Sequence, residues 1–537
     1  MGQKLVAGEE SMVLIKMEST TTNTILTSSL IFFLGLIFLS LVIKFLDKVW
    51  WTPIHVRSLM RSQGIEGPPY EFLNGNTKEI TKMRRSAESR PVELSSNYLL
   101  SRIQPHVHSW MEQYGANFLN WYGPRPQLVV SDPSLVREIL NNKNGAYPKY
   151  IIQEFADKLF GNGLSATRGE GWSKKRKLAN YAFHGESLKN MIPAMIASVE
   201  AMLGRWEEKG GGEIEVFREF TVLTSEIISR TAFGSSYLEG KNTFELLRKM
   251  SLIISRNNYR VRFRGTRWFW KAQDDTESDK LAQGIRESII RMIKKREEDD
   301  LGKQEGYGVD FLGILLKANH EDDPAKKMSV DDVVDECKTF YVAGQETTAS
   351  SLSWTLLLLA THSDWQDKAR QEVIRSIGRQ NPTPDVLPKL KILNMIIQES
   401  LRLYVPVFNI TRETERDVRL GHLNLPAGMA LSLPVLALHT NPDIWGQDVL
   451  RFRPDRFANG VGKASKDTPA AYIPFGMGPR TCVGMNFAMA EIKIALAMIL
   501  QRYSFTLSPA YVHCPHHVLT IRPQHGLQIV FEPTHDK

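Results

Sequence analysis

Cys482 stands in the stretch Pro474 to Ile492, PFGMGPRTCVGMNFAMAEI, where glycines and prolines crowd the approach to a single thiol and an apolar run follows it. A cysteine at the start of a helix meets unpaired backbone N–H groups and the positive end of the helix dipole, both of which favour its thiolate. Gly476, Gly478 and Gly484 let the backbone turn tightly and approach something bulky, and Arg480 is a cation able to meet a carboxylate of that bulky partner. Three chemistries use such a sulfur. A zinc site wants several Cys or His ligands at short spacing, and this loop holds none. A catalytic nucleophile wants a base, which can come from anywhere in the chain. An axial ligand to haem iron needs one anionic sulfur, glycines beneath a flat macrocycle and cations for its propionates, and this accounts for more of the residues present.

The decapeptide FGMGPRTCVG, Phe475 to Gly484, resembles the haem-binding loop of the cytochrome P450 family, with Phe475, Gly476, Gly478, Arg480, Cys482 and Gly484 at the matching positions. Further matches follow in the family's order. AGQETT, Ala343 to Thr348, resembles the oxygen-activation motif. Splitting dioxygen calls for two protons delivered where water is otherwise excluded, and the resemblance gives that relay to Thr347 and Glu346, with Gly344 leaving room for oxygen. A threonine inside a helix ordinarily bonds back to a carbonyl one turn earlier. ESLR, Glu399 to Arg402, with Arg456 of FRPDRF, resembles the structural acid–base lock of the haem-side core. WSKKR, Trp172 to Arg176, resembles the helix that presents an indole N–H and a guanidinium to a propionate, and the resemblance adds Arg412 and His439 as further donors. It also implies pocket walls from Phe340, Ala343, Val407 and Leu519, a cover over the entrance from Tyr150 to Thr167, and Val405 at the pocket edge, where a second proline is usual.

These residues need a scaffold. The chain has 537 residues, 42% hydrophobic and 23% charged, a globular composition longer than one ordinary core requires. Thr24 to Ile43, TILTSSLIFFLGLIFLSLVI, carries no charge and is long enough as a helix to cross a bilayer. Trp50 and Trp51 follow as an interfacial pair, and Lys44, Lys48, Arg57 and Arg61 place this end in the cytosol. No small-residue processing site follows, so the anchor is retained. The expected organisation is a lumenal segment at 1–23, an anchor at 24–46, a hinge at 47–76 stiffened by Pro68 and Pro69, and a haem-binding domain at 77–537. The leading segment is longer than the resemblance suggests, and a start at Met12 or Met17 is compatible with it. PQLVVSDP (Pro126 to Pro133) reads as a strand ended by a turn, and NLPAGMALSLPVLALH (Asn424 to His439) as a strand pair. Most of the rest is helical in period, including a long helix from Ser329 to Ser363 opened by a capping box of Ser329 and Asp332. The fold class is mainly α with a minor β region.

Lys and Arg exceed Asp and Glu by 67 to 59, a mild bias that suits anionic lipid or an acidic protein partner and leaves nucleic acid out. RNNYRVRFRGTRWFWK, Arg256 to Lys271, reads as a face lying against lipid headgroups. Three cysteines, at 337, 482 and 514, make no disulfide framework. YVHCPHH (Tyr511 to His517) makes a poor metal site, because neighbours on an extended chain point to opposite faces. NGVGKAS (Asn459 to Ser465) lacks the full phosphate-loop spacing. The resemblance covers nearly the whole chain, and QGIEGPPY with RPQHG is similar to the plant clan whose members oxidise terpenoids, steroid hormones and fatty acids. It implies a membrane-anchored monooxygenase of the endoplasmic reticulum holding haem b through Cys482. The oxidised compound is a hydrophobic small molecule of those classes or a gibberellin-like acid. Electrons come from NADPH through a cytochrome P450 reductase that meets Lys174, Lys175 and Lys177. The rival readings are a hydroperoxide-rearranging member without a reductase and a non-enzymatic haem sensor.

Overall fold

The computed structural model describes residues 26–94, 98–150, 154–261, 272–300, 307–324 and 326–534. Leu26–Arg61 forms a continuous helix, and its apolar part, long enough to cross a membrane, has no protein packed on it. Asp47–Trp51 is a π turn within that helix, and Thr52–Arg61 buries Pro53, Val56 and Met60. The expected hinge is therefore helical in its first half. Its irregular part folds back onto the end of the span, where the Tyr70 hydroxyl donates to the Val49 carbonyl (2.9 Å) and Phe72 meets Trp50 edge-on, ring centres 6.0 Å apart.

A four-stranded sheet runs in the order Asn117–Tyr122, Arg125–Val130, Ala430–Pro434, Asn409–Glu413. The first and last pairs are antiparallel and the middle pair is parallel, so this sheet joins the two ends of the sequence. Asp132, after the second strand, caps the next helix by accepting from Ser134 and Leu135 N–H. The expected strand pair at 424–439 is not one. Leu423–Leu425 pairs with Val418–Leu420, Ala430–Pro434 joins the large sheet, and Val435–His439 is a helical turn.

The long helix Val330–Thr361 runs through the core and starts at the expected capping box, with Ser329 and Asp332 bonding each other's backbone N–H. It packs on Val216–Phe233, Lys391–Leu403 and Met485–Arg502. Different faces meet different neighbours. Glu346, Ser350 and Trp354, four residues apart, face the C-terminal hairpin, where Ser350 Oγ and Trp354 Nε1 both donate to the Ile521 carbonyl (2.6 and 2.8 Å). Gly344 lies against Val216–Phe233. A Cβ there would stand 2.7 Å from Ile228 Cδ1, so the missing side chain is filled by the neighbouring helix. That corrects the expectation that Gly344 makes room for oxygen.

Glu399 and Arg402, one turn apart on Lys391–Leu403, form a bidentate pair (2.7 and 2.8 Å) with neither side chain exposed. Arg453 N–H and Arg456 Nε also donate to Glu399 Oε1 (2.9 and 3.4 Å), and Arg402 and Arg456 bind the carbonyls of His439, Trp445 and Asp448. Residues 399–402 and 453–456 thus meet on one carboxylate, and the two arginine side chains tie in the backbone at 439 and 445–448. Removing one member of a buried pair leaves an uncompensated charge, at a cost of about 3–5 kcal/mol. Arg402→Met is therefore expected to lower unfolding free energy by about that amount in denaturant titrations; a change within ~1 kcal/mol would show that the pair is not a fold lock.

Candidate functional site

The cysteine loop is held by its own backbone. Cys482 N–H donates to the Phe475 carbonyl (2.8 Å) and Gly476 N–H to that of Ile473 (3.0 Å). Gly478 has φ +73°, and a Cβ there would stand 2.2 Å from the Leu140 carbonyl oxygen, so only glycine fits beneath the neighbouring helix end. The helix that follows spans Met485–Arg502, with Gly484 at its N-cap. Desolvation by the surrounding protein pushes the Cys482 thiol up even though its side chain keeps accessible surface, against the lowering influence of the Gly484 N–H bonded to it and of nearby Arg176. The helix start alone does not outweigh desolvation, and a coordinated metal cation is what would make this sulfur a thiolate.

Around the loop lies a set of cations with little counter-charge. Lys149 is held down to about 8 by burial, Arg412 and Arg480, and Arg412 to about 10 by burial and Arg480. Arg480 is held down to about 10 by burial, Arg168 and Arg176. Arg480 stacks over the Trp172 ring at 4.7 Å and donates to the Thr167 carbonyl, and Arg176 binds the Thr481 carbonyl. Glu413, the carboxylate nearby, is already taken by Arg125 and Arg168, both at 2.6 Å. Mutually repelling enclosed cations require an anion, and two carboxylates beside an axial cysteine are what the haem propionates would provide. The residues present fit haem.

Lys149 belongs to this set, though nothing in its sequence surroundings signals it. It follows Pro148 in a stretch without period and reaches the site because residues 146–150 add to the edge of Asn409–Glu413, with Glu413 N–H donating to Pro148 O (3.0 Å) and Lys149 bridging Arg412. His439 does not belong to it. It is fully buried, its Nε2 accepts from Ile473 N–H (3.0 Å), it stacks on Tyr472, and burial with Arg402 holds it down to about 3. It therefore supports the loop from behind as a neutral imidazole.

On the long helix, Ala343 is exposed and Thr347 half-buried between turns whose other residues are mostly covered, and Cys482 is likewise exposed. Thr347 Oγ1 donates to the Ala343 carbonyl (2.7 Å), the ordinary bond of a mid-helix threonine. Glu346 accepts from Thr520 Oγ1 (3.0 Å), with Arg522 at 3.7 Å. Of the expected walls, Val407 and Leu519 keep accessible surface. Phe340 does not. It stacks on Phe183 at 5.1 Å and meets Phe311 at a tilt at 4.2 Å inside the core, because two other helices bring aromatic rings to that face. Val405, expected at the pocket edge, is fully buried too.

Lys175 is also displaced from its expected surface. It is buried, bonded to Asp332 (2.7 Å) and 3.9 Å from Glu336, while Lys177 on the same helix is exposed. Part of the expected cover, 151–153, lies outside the described residues, as does 262–271 of the basic aromatic stretch. The described remainder of the cover includes the helix Glu154–Phe160 and a turn in which Asn162 N–H donates to Asp335 of the long helix (2.7 Å). No cluster of three or more metal-binding side chains occurs among the described residues, the Tyr511–His517 stretch included.

The fold and the cysteine loop are those of a haem-thiolate monooxygenase. The chain belongs to the cytochrome P450 family, whose model matches residues 90–529. It is 53% identical over 510 residues to cytochrome P450 CYP749A22 of Panax ginseng, which covers 95% of this chain and 96% of the relative. It is 40% identical over 502 residues to 11-oxo-beta-amyrin 30-oxidase of Glycyrrhiza uralensis, covering 91% and 95%. The retinoic acid-bound cyanobacterial CYP120A1 shares the fold, with a TM-score of 0.72, 24% identity and coverage of 87% of this chain and 100% of that one.

Lys149 lets the electrostatic reading be tested by opposed signs. Its charge is unwelcome in the haem-free protein, so Lys149→Met should stabilise that form below about pH 8, where Lys149 is protonated. The gain should fade above that pH. The same substitution should weaken haem retention, measured as haem per protein after challenge with apomyoglobin. A fall in both quantities would mean that Lys149 serves folding alone.

Proposed function

We propose that this protein inserts one atom of dioxygen into a C–H bond of a hydrophobic small molecule of the terpenoid, steroid hormone, gibberellin-like acid or fatty acid classes. Electrons come from NADPH through cytochrome P450 reductase at the cytosolic face of the endoplasmic reticulum. The observation that carries the reading is the uncovered pair Ala343 and Thr347 in the middle of an otherwise packed helix, on a chain whose Cys482 is uncovered as well. The name of the Glycyrrhiza relative, an oxidase of a triterpenoid, supports the terpenoid class first.

Haem, when bound, supplies the oxidising chemistry, and the chain arranges what surrounds it. Cys482 would ligate the iron, oriented by its own N–H bond to Phe475 O and by the Gly484 N–H on its sulfur. Phe475 and Gly476 shape the loop under the macrocycle. Trp172, Arg176, Arg412, Arg480 and Lys149 would receive the propionates, whose charge would relieve the repulsion among the cations. Ala343, Val407 and Leu519 wall the substrate. Thr347, released from its bond to Ala343 O, would donate a proton into the site, and Glu346, held by Thr520, would resupply it from the hairpin side. Glu399, Arg402 and Arg456 keep the haem-side core in place and take no part in proton transfer. Exposed Lys177 and partly exposed Lys174 remain as the cationic contribution of this helix to reductase docking.

Co-expression with a reductase in microsomes, followed by metabolite profiling over a terpenoid, steroid, gibberellin-like and fatty acid panel, tests the class. Cys482→Ala should abolish the red-shifted carbon monoxide band of reduced haem-thiolate protein. Thr347→Ala should keep that band and release more peroxide per product. Unchanged coupling in Thr347→Ala would remove it from the relay.

A further inference from the structure

Lys78, Thr81, Lys82 and Arg85 recur at helical spacing on Thr77–Glu88, so they share one face. That face lines an open cavity of about 530 Å³ together with Tyr259, Arg260, Val261 and Asn74. Lys78, Lys82 and Arg85 are exposed, and no carboxylate lies within ion-pair distance of them among the described residues. Arg260 has Asp274 at 3.8 Å, and no acidic residue lines the cavity. Cations one helical turn apart repel one another, so this face is strained in charge until an anion enters.

The position of the cavity says which anion. Asn74 follows Phe72 by two residues, at most about 7 Å of chain, and Phe72 lies edge-on to Trp50, directly after the membrane-crossing stretch. The Tyr70 hydroxyl fastens the same segment to Val49. The cavity is therefore tied to the level of the lipid headgroups, where phosphates are concentrated.

We propose that the basic cavity between Thr77–Glu88 and residues 259–261 binds the phosphate of an anionic phospholipid headgroup. Lys78, Lys82 and Arg85 contact the phosphate from one wall and Arg260 from the other, while the acyl chains run beside the anchor helix. The site gives the soluble body a second point of contact with the bilayer besides the anchor helix and so orients it there. The inference rests on the membrane-anchored reading, which alkaline carbonate extraction of microsomes checks separately.

The test uses the full-length, haem-loaded protein in detergent. Dioctanoyl phosphatidic acid, dioctanoyl phosphatidylcholine and inorganic phosphate are titrated by calorimetry at an ionic strength of about 0.15 M. Saturable binding of phosphatidic acid alone is expected. Lys78→Gln/Lys82→Gln/Arg85→Gln should weaken it roughly a hundredfold and Arg260→Gln about fivefold, as expected for basic residues near a lipid surface. The carbon monoxide spectrum of both variants should stay normal, which reports an intact fold. Equal binding of inorganic phosphate would make this a free-phosphate site, and equal binding of phosphatidylcholine would make it an apolar groove. Either result overturns the proposal, as does an unchanged affinity in the triple variant or no saturable binding at all.

Discussion

Everything near the cysteine depends on a helix that must be covered on almost every side and left bare on one. Val330–Thr361 meets a helix through Gly344, where Ile228 fills the place of a side chain, and meets the C-terminal hairpin through Glu346, Ser350 and Trp354. Ala343 and Thr347 fall on the remaining strip. A helix covered by neighbours on most of its faces has its rotation set by the specific contacts of those neighbours. Shifting it by one residue would turn Thr347 by about 100° and bury it.

A second constraint is electrostatic. Lys149, Arg412 and Arg480 come from separate segments and are drawn together by the large sheet and the cysteine loop, although they repel one another. The Glu399 lock resolves its charges internally, four donors to one carboxylate group. The contrast separates the two arginine-rich regions. Where the arginines share a buried carboxylate, the region locks the fold; where the cations have carbonyls but no carboxylate of their own, it is suited to an anionic ligand.

Much of this was legible beforehand because several motifs carry their own local geometry. The capping box at Ser329, the glycines around Cys482 and the i,i+3 spacing of Glu399 and Arg402 need no distant residue to be recognised. His439 and Phe340 misled for a shared reason. Each stands at a position where family resemblance suggests a function, and each is consumed by packing that only neighbours reveal: Ile473 N–H and Tyr472 for His439, and Phe183 with Phe311 for Phe340. Lys149 was invisible for the converse reason, since its role arises from a chance of pairing between residues 146–150 and a strand over 250 residues away.

The amino-acid sequence by itself determined the family and its reaction class, the apolar N-terminal helix and the start of the long core helix, because those follow from residue type and short-range spacing. The tertiary structure decided which charges are left unanswered, which side of the long helix stays open, and which lysine of Trp172 to Arg176 and its neighbours reaches the surface. Those are properties of pairs far apart in the chain. Burial and Coulomb energy depend on distance in space, and only the folded chain sets that distance.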